Sequence, residues 1–423
     1  MNIVKETVQL LINGEFARAE HQIGRIKASQ SPEDMHLLAE ELLQLGFWDK
    51  AKDLYEELLK LFPGEGELIL SLAEILIEAD QEDEAFALLE QISPEDEMYP
   101  SALLLEADLY QMQGMDEVSE RKLLQAKQLL PDEPLVDFAL AELFYQQGRN
   151  LDAVASYLKV LEADTEINGI NINQRIAESL SGAGKFEEAL PYFKKALEDR
   201  LEINTLFEYG FTAYQAGFYE TALDTFTELK ELDREYYSLY LYLAKAYEHI
   251  EHLDRSLAAV KEGIAVDEFN KDLYFYGGKI SLKKGEPEEA EEFFRQALAL
   301  DPGFLEASLT LIKLLMQQER FEDALECLEE VRKYGEDDPQ FDWLSAVSRQ
   351  KLEQYDEALN DYHKAYNSFK NNQDFLEDYG FFLIEEGNKH TAREIFNKLA
   401  SADPSNDEYA MILERLTDGP DEM

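Results

Sequence analysis

One order of acidic, small and aromatic positions returns along nearly the whole chain with a period of about 34 residues. In the copy that spans residues 285–302, a glycine is followed by acidic residues, by Ala290, by the aromatic Phe294 and by the closing Pro302. Glycine suits a tight turn after a helix, and acidic residues suit the positive N-terminal end of the next helix. A fixed period of this size predicts a stacked array of helical units.

The turn position recurs twelve times at steps of 32 to 36 residues. Its occupants are Gly14, Gly46, Asp80, Gly114, Gly148, Gly184, Gly217, Glu251, Gly285, Glu319, Glu353 and Gly387. We call this set the glycine line. The step lengthens to 36 residues between Gly148 and Gly184, where the extra residues fall in 164–169 and include an Asn-Gly turn signal.

Two small-residue positions define the helical pair in each copy. Five residues after the glycine line stand Ala19, Ala51, Ala85, Ser119, Ala153, Ala189, Ala222, Ser256, Ala290, Ala324, Ala358 and Ala392. Seven residues before it stand Ala39, Ala73, Ala107, Ala141, Ala177, Gly210, Ala244, Gly278, Ile312, Ala346 and Gly380, with Ile312 the exception to small size. Small side chains on both helices allow a close crossing, which predicts an antiparallel helical hairpin.

This order of small, small, aromatic, small and proline positions resembles the tetratricopeptide repeat (TPR) family over about residues 1–404. Pro63, Pro131, Pro302 and Pro404 stand at the closing proline of the family, where a helix cannot continue. The resemblance implies an all-α solenoid: a right-handed superhelix of about twelve TPR hairpins with a C-terminal capping helix. It also implies that the first helix of each pair lines the inner surface.

The register predicts three segments in one quasi-linear array. Residues 1–165 form an N-terminal arm of repeats one to five, and residues 170–404 form a C-terminal arm of repeats six to twelve. Residues 405–423 form the capping helix and an acidic tail. Residues 164–169 are the candidate for a change of direction, although a loop can also absorb two added residues at little cost.

The charge balance restricts the partners. The chain carries 90 acidic and 39 basic residues and a net charge of −51, which argues against nucleic acid and anionic membrane surfaces. The single Cys327 excludes an internal disulfide, and no stretch has the length and apolarity of a membrane span. The chain opens directly into repeat helix, so we predict a cytoplasmic protein.

Enzyme signals are sparse, and we predict no catalytic residues, cofactor or metal. The segment 181–185 lacks the spacing and the hydroxyl residue of a phosphate loop. His249 and His252 lie three residues apart, but no third ligand is positioned near them. The repeat register leaves no room for a catalytic domain.

Charges segregate along the predicted inner surface. Six residues before the glycine line, the first helices carry Glu40, Glu74, Asp108, Glu142, Glu178, Phe211, Lys245, Lys279, Lys313, Val347 and Phe381. We call the first five residues the carboxylate line and the three lysines the lysine line. Four residues earlier the positions are largely apolar and include Phe207, Phe275 and Trp343, while Tyr214 lies one turn from Phe211.

The segregated lines predict two ligand surfaces. Lys245, Lys279 and Lys313, with Phe207, Phe211, Tyr214, Phe275 and Trp343, suit an acidic and apolar segment. The carboxylate line suits a basic segment, and its alternative is a solvated face of an acidic protein. Some TPR members hold a partner's terminal carboxylate with lysine, arginine and asparagine from three successive first helices. The asparagine companions are missing here, which leaves an acidic peptide or acidic helix as the implied ligand.

The predicted function is therefore a non-enzymatic scaffold or adaptor that holds protein segments in the inner groove. The alternative is a regulatory sensor that changes its superhelical pitch when it binds a short signalling peptide, as some bacterial members do. Ligand length distinguishes the two, because a scaffold binds a folded partner or a long segment.

Overall fold

The computed structural model describes residues 3–335 and 338–417, and the predicted acidic tail at 418–423 lies outside them. Residues 1–212 and 213–423 form two compact units, called unit 1 and unit 2. The boundary lies within a helix and not at residues 164–169. The proposed division into arms at 165 and 170 therefore stays a prediction.

Unit 1 is built from successive helical pairs. Its helices are α1 (Ile3–Ile12), α2 (Phe16–Ser29), α3 (Pro32–Gln44), α4 (Trp48–Leu61), α5 (Gly66–Glu78), α6 (Glu82–Leu89), α7 (Tyr99–Met112), α8 (Asp116–Leu129), α9 (Pro134–Gln146), α10 (Asn150–Ala163), α11 (Ile172–Gly182) and α12 (Phe186–Asp199). The strands β1 (Glu166–Ile167) and β2 (Ile170–Asn171) lie between α10 and α11. The helix α13 (Ile203–Gln215) begins in unit 1 and ends in unit 2.

Unit 2 continues the same alternation. Its helices are α14 (Tyr219–Leu232), α15 (Ser238–His249), α16 (Leu253–Val266), α17 (Lys271–Lys284), α18 (Pro287–Leu300), α19 (Leu305–Gln317), α20 (Phe321–Lys333), α21 (Pro339–Lys351), α22 (Tyr355–Phe369), α23 (Gln373–Glu385), α24 (Lys389–Ala402) and α25 (Asp407–Thr417). The last helix packs against α24, at the place predicted for the capping helix.

The glycine line ends each first helix with a left-handed residue. All twelve positions have positive φ, and the four that are not glycine, Asp80, Glu251, Glu319 and Glu353, have φ between 56° and 62°. At Glu319 the amide donates to the carbonyl of Met316, and the next amide donates to the carbonyl of Leu315. These two bonds form a Schellman motif, which satisfies carbonyls that the helix end would leave unpaired.

The small-residue positions lie at the helix crossings, as the register predicts. All twelve positions that follow the glycine line by five residues have no exposed surface. Next to them, the rings of Phe226, Phe294, Tyr362 and Phe396 are fully buried. A Cβ built on Gly278 would overlap the ring of Phe294, so only glycine fits this crossing. Close packing of this kind makes each crossing sensitive to added volume.

The Asn-Gly signal forms a two-residue hairpin. Glu166 pairs with Asn171 and Ile167 pairs with Ile170 in antiparallel register. Asn168 and Gly169 have φ of 51° and 80°, as a type I′ turn requires. The hairpin accommodates the extra residues while α10 still packs on α11.

Candidate functional site

The lysine line lies on the first helices of three successive pairs in unit 2. Lys245 on α15 is half-buried, whereas Lys279 on α17 and Lys313 on α19 are exposed. Among the residues that the structure describes, none of these three ammonium groups forms an ion pair. An unneutralised row of cations on so acidic a protein attracts anionic groups.

Aromatic rings support two of the three lysines. The Lys245 Nζ lies 5.1 Å from the ring centre of Tyr242 and 5.9 Å from that of Tyr276. The Lys279 Nζ lies 5.7 Å from the ring centre of Phe275. Contact with the ring faces favours the cations electrostatically. Burial, reinforced by the charge of Lys279, nevertheless lowers the pKa of Lys245, and the charges of Asp272 and Glu248 offset only part of this effect.

The neighbouring Lys283 is neutralised where the lysine line is not. Glu248 accepts hydrogen bonds from Lys283 Nζ and from the hydroxyl of Tyr276. Although burial opposes the change, these bonds lower the pKa of Glu248 and keep its carboxylate ionised. Glu248 is thus bonded to Lys283 and Tyr276. Its charge offsets only part of the lowering of the Lys245 pKa.

Tyr214 joins an aromatic cluster at the start of unit 2. Its ring meets that of Tyr242 edge to face with centres 5.8 Å apart, and its hydroxyl lies 3.2 Å from His249 Nε2. His249 stacks on Tyr219 at 4.3 Å. The imidazole is therefore held by aromatic neighbours, which accounts for one of the two histidines that we considered as metal ligands.

Three other predicted aromatic residues are half-buried and pack on aromatic neighbours. Phe207 and Phe211 stack on each other in unit 1, with ring centres 6.4 Å apart. Phe275 packs on Phe294 and on Phe304 within unit 2. Each of these residues therefore has aromatic neighbours of its own, and their contribution to a ligand surface stays a prediction.

Trp343 is tied into the core of the repeat that follows it. Its indole Nε1 donates to Asp378 over 2.9 Å, and its ring packs against Phe369 and Phe375. A half-buried tryptophan with a satisfied N–H has its main role in packing. Its role in partner binding stays untested, and these contacts favour the structural role.

The carboxylate line is not uniform along unit 1. Glu40, Glu74 and Asp108 are exposed, and Glu40 lies 3.9 Å from His36 Nδ1. Partial desolvation raises the pKa of Asp108 to about 6, and it also raises the pKa of Glu74. Neither Glu74 nor Asp108 forms an ion pair with any described residue. These three carboxylates are therefore the part of the line that a basic segment could contact.

Glu142 and Glu178 instead share one arginine as their ion-pair partner. Arg175 Nε donates to Glu142 over 3.0 Å, and its Nη1 donates to Glu178 over 3.0 Å. The fully buried Tyr157 hydroxyl also donates to Glu142, over 2.6 Å. The guanidinium lies over the ring of Tyr145 at 5.1 Å. These two carboxylates therefore serve a polar network between α9, α10 and α11.

A third carboxylate, Glu208 on α13, interacts electrostatically with Glu178 and Arg175 of this network. Its Oε2 is buried and has no hydrogen-bond partner among the described residues. Desolvation, together with the charge of Glu178, raises the pKa of Glu208 to about 7. The side chain is therefore close to half-protonated at neutral pH.

We expect Glu208→Gln to change the pH dependence of stability in unit 1. The folded chain holds the Glu208 proton more tightly than the unfolded chain, so stability falls as pH rises from about 4.5 to about 7. The glutamine variant loses this slope. After discounting for solvent screening, it should be more stable than wild type by about 1–2 kcal/mol at pH 8 and equal at pH 4.

Urea unfolding at both pH values, followed by circular dichroism, measures this difference. Glu187→Gln is the matched control, because Glu187 is exposed on the neighbouring α12. A constant difference between wild type and Glu208→Gln at both pH values would contradict the raised pKa.

Sequence reasoning missed Tyr242, Tyr276, Arg175 and Glu208. All four lie nine residues before the glycine line, which is one helical turn before the carboxylate and lysine lines. The signal was therefore present in the same register. This neighbouring line determines which charges of the predicted surfaces are neutralised.

None of the helices in the described ranges has the length and apolarity needed to cross a membrane.

Successive paired helices that cross at buried small residues define an α-solenoid repeat protein. Family models confirm this class. Models described as "YpiA-like, tetratricopeptide repeats" and "YpiA-like, C-terminal tetratricopeptide repeats" match residues 111–165 and 339–406. General tetratricopeptide repeat models match 42–109, 170–198, 250–303 and 281–346.

The chain belongs to the tetratricopeptide repeat family and to its YpiA-like members. It is 42% identical over 416 residues to the TPR repeat-containing protein YpiA of Bacillus subtilis (strain 168), which covers 98% of each chain. Similar solved structures include the APC/C hetero-tetramer Cut9–Hcn1, at TM-score 0.37 and 13% identity over 97% of this chain and 95% of that chain. Another is YrrB, at TM-score 0.38 and 21% identity over 45% of this chain and 97% of that chain.

Proposed function

We propose that this chain is a non-enzymatic protein-interaction scaffold of the cytoplasm that holds an acidic, partly apolar segment of a partner on the lysine line. The observation that carries the proposal is the row of Lys245, Lys279 and Lys313, which form no ion pair with any described residue on a protein of net charge −51. Most structural lysines nearby do form ion pairs, as Lys261, Lys271 and Lys283 show.

The surroundings of the lysine line favour a protein segment over a simple anion. The half-buried rings of Tyr242 and Phe275 lie within 6 Å of the ammonium groups of Lys245 and Lys279. Aromatic side chains beside unpaired cations supply apolar contact area and charge to the same ligand. Binding should therefore combine salt-sensitive attraction with burial of apolar groups.

A basic segment on the carboxylate line is the second part of the proposal. Only Glu40, Glu74 and Asp108 support it, because Glu142 and Glu178 are already paired with Arg175. The sensor alternative concerns the same groove and differs in ligand length. A ligand of a few residues that compacts the chain would favour the sensor, and a long segment or folded partner would favour the scaffold.

Affinity capture from cytosol tests the lysine line. We expect Lys245→Glu/Lys279→Glu/Lys313→Glu to lose at least one partner that wild type retains at low salt, and the same partner to be depleted at moderate salt. Quantitative mass spectrometry measures this loss. The control Lys5→Glu/Lys60→Glu/Lys185→Glu makes the same charge change at exposed lysines of unit 1 and should keep that partner.

Identical sets of captured proteins for wild type and the lysine-line variant would overturn the proposal. Loss of the same partner from the control variant would show that net charge, and not this surface, governs capture. Circular dichroism of both variants establishes that they remain folded.

A further inference from the structure

A cavity of about 500 Å³ lies at the first residue of the carboxylate line in unit 1. Residues of α3, of the end of α4 and of the start of α5 line it, and Glu40 is one of them. We call it the α3–α5 cavity. A volume of roughly 300–1,000 Å³ is typical of ligand pockets. The carboxylate line therefore begins at a space that is large enough to receive a side chain of a partner.

Apolar side chains from all three helices line part of this cavity. Leu58 and Leu68 are buried, whereas Leu37 and Phe62 are 38% and 44% exposed. Leu37 lies outside the buried face of α3, and Phe62 directly follows the last residue of α4. We call these four residues the apolar lining. Covering its two exposed members with an apolar group of a partner would remove hydrophobic surface from water, which favours binding.

Carboxylates complete the cavity beside the apolar lining. Glu33 and Glu40 belong to α3, Glu65 directly precedes α5, and Glu67 lies in the first turn of α5. Glu33, Glu65 and Glu67 form no ion pair with any residue that the structure describes. No described lysine or arginine lines the cavity, and its charge therefore attracts cations.

The arrangement of the carboxylates favours a ligand with several cationic groups over a single metal ion. Burial raises the pKa of the Tyr55 phenol, and the charges of Glu40, Glu74 and Glu67 raise it further, so carboxylates of α3 and α5 act on the same site. Within the described ranges, however, no three acidic, histidine or cysteine side chains are grouped closely enough to hold a metal ion. Dispersed negative charge beside apolar surface suits a basic and apolar protein segment.

We propose that the α3–α5 cavity holds a large apolar side chain of a partner segment that carries arginine or lysine on both sides of this residue. The inference rests on the proposed function, because it specifies the basic segment and the place where that segment is anchored. The apolar side chain covers Leu37 and Phe62, and the flanking cations pair with the carboxylates of α3 and α5. The same carboxylates repel nucleic acid and anionic lipid.

Three labelled peptides test this chemistry against the full chain by fluorescence anisotropy at low salt. The first carries one phenylalanine with two arginines on each side, among serines and glycines. The second has serine in place of the phenylalanine, and the third has glutamine in place of the four arginines. We expect the first peptide to bind about tenfold more tightly than either of the others.

Variants of the cavity assign the binding to its two kinds of side chain. Leu37→Ser/Phe62→Ser should remove the preference for the first peptide over the second, because both exposed members of the apolar lining are lost. Glu33→Gln/Glu65→Gln/Glu67→Gln should weaken binding of the first peptide by about tenfold. Circular dichroism establishes that both variants remain folded.

The matched control makes the same charge change elsewhere in unit 1. Glu117→Gln/Glu162→Gln/Glu187→Gln replaces three exposed glutamates on the second helices α8, α10 and α12 and should bind the first peptide as wild type does. An equal loss of affinity in this control would show that net charge governs binding and would overturn the inference.

Equal affinity of wild type for the first two peptides would also overturn the inference. If that affinity still depended on Glu33, Glu65 and Glu67, the basic segment of the proposed function would stand without its apolar anchor. Failure of the first peptide to bind would overturn the inference alone. The capture experiment with the lysine-line variant tests the scaffold separately, because none of the cavity substitutions alters the lysine line.

Discussion

Arg175→Met is expected to lower the free energy of unfolding of unit 1 by about 2–4 kcal/mol at neutral pH. The substitution leaves Glu142 and Glu178 without their shared cation and removes the positive charge that opposes the raised pKa of Glu208. Methionine keeps much of the side-chain volume, so the loss reports the charge. Urea unfolding followed by circular dichroism, with hydrogen exchange of α9 to α11, measures it.

Arg18→Met is the control, because Arg18 is largely exposed and bridges Glu15 within one turn. Exposed ion pairs contribute at most about 1 kcal/mol. Equal losses for Arg175→Met and Arg18→Met would show that the network contributes no more than a surface pair.

Gly278→Ala is expected to destabilise unit 2 by about 1–3 kcal/mol. Helix propensity alone would make the alanine variant more stable by about 1 kcal/mol. The expected destabilisation therefore has the opposite sign. The reason is steric. A Cβ at Gly278 would overlap the fully buried ring of Phe294, which is enclosed by the crossing of α17 and α18. Thermal unfolding of the full chain measures the change.

Gly24→Ala provides the matched control. Gly24 lies within α2, its φ is not positive, and an added Cβ would meet nothing within 4 Å. This substitution should stabilise the chain by about 0.5–1 kcal/mol. If both alanine variants raised stability, the result would contradict a close helix crossing at Gly278. The small-residue register would then lose its physical basis.

The repeat architecture could be predicted from the sequence because each copy carries the same local sequence pattern. A left-handed turn and a small residue five positions after it are short-range requirements that recur twelve times, and a buried aromatic ring follows in seven of the copies. The rule even holds at Glu251 and Glu353, where a side chain adopts the glycine conformation with φ of 62° and 59°. Tertiary packing there overrides the local preference for glycine.

The charge state of the surfaces could not be predicted in the same way. Arg175 and Glu142 are 33 residues apart in sequence and meet only because successive first helices are neighbours. Reading one line of residues identified the carboxylates but not the arginine one turn away. Trp343 shows the same limit, because its partner Asp378 belongs to the next repeat. Contacts between repeats therefore decide which predicted residues remain available to a ligand.

Site-specific photocrosslinking tests the central claim, that the first-helix face of unit 2 holds the partner. A photoreactive residue at Thr310, one turn before Lys313 on α19, should crosslink the captured partner through an acidic segment identified by mass spectrometry. The same residue at the exposed Glu288, on the second helix α18, should not. The Thr310 crosslink should disappear in the Lys245→Glu/Lys279→Glu/Lys313→Glu background. Equal crosslinking from Glu288, or a Thr310 crosslink that survives the three substitutions, would contradict the account.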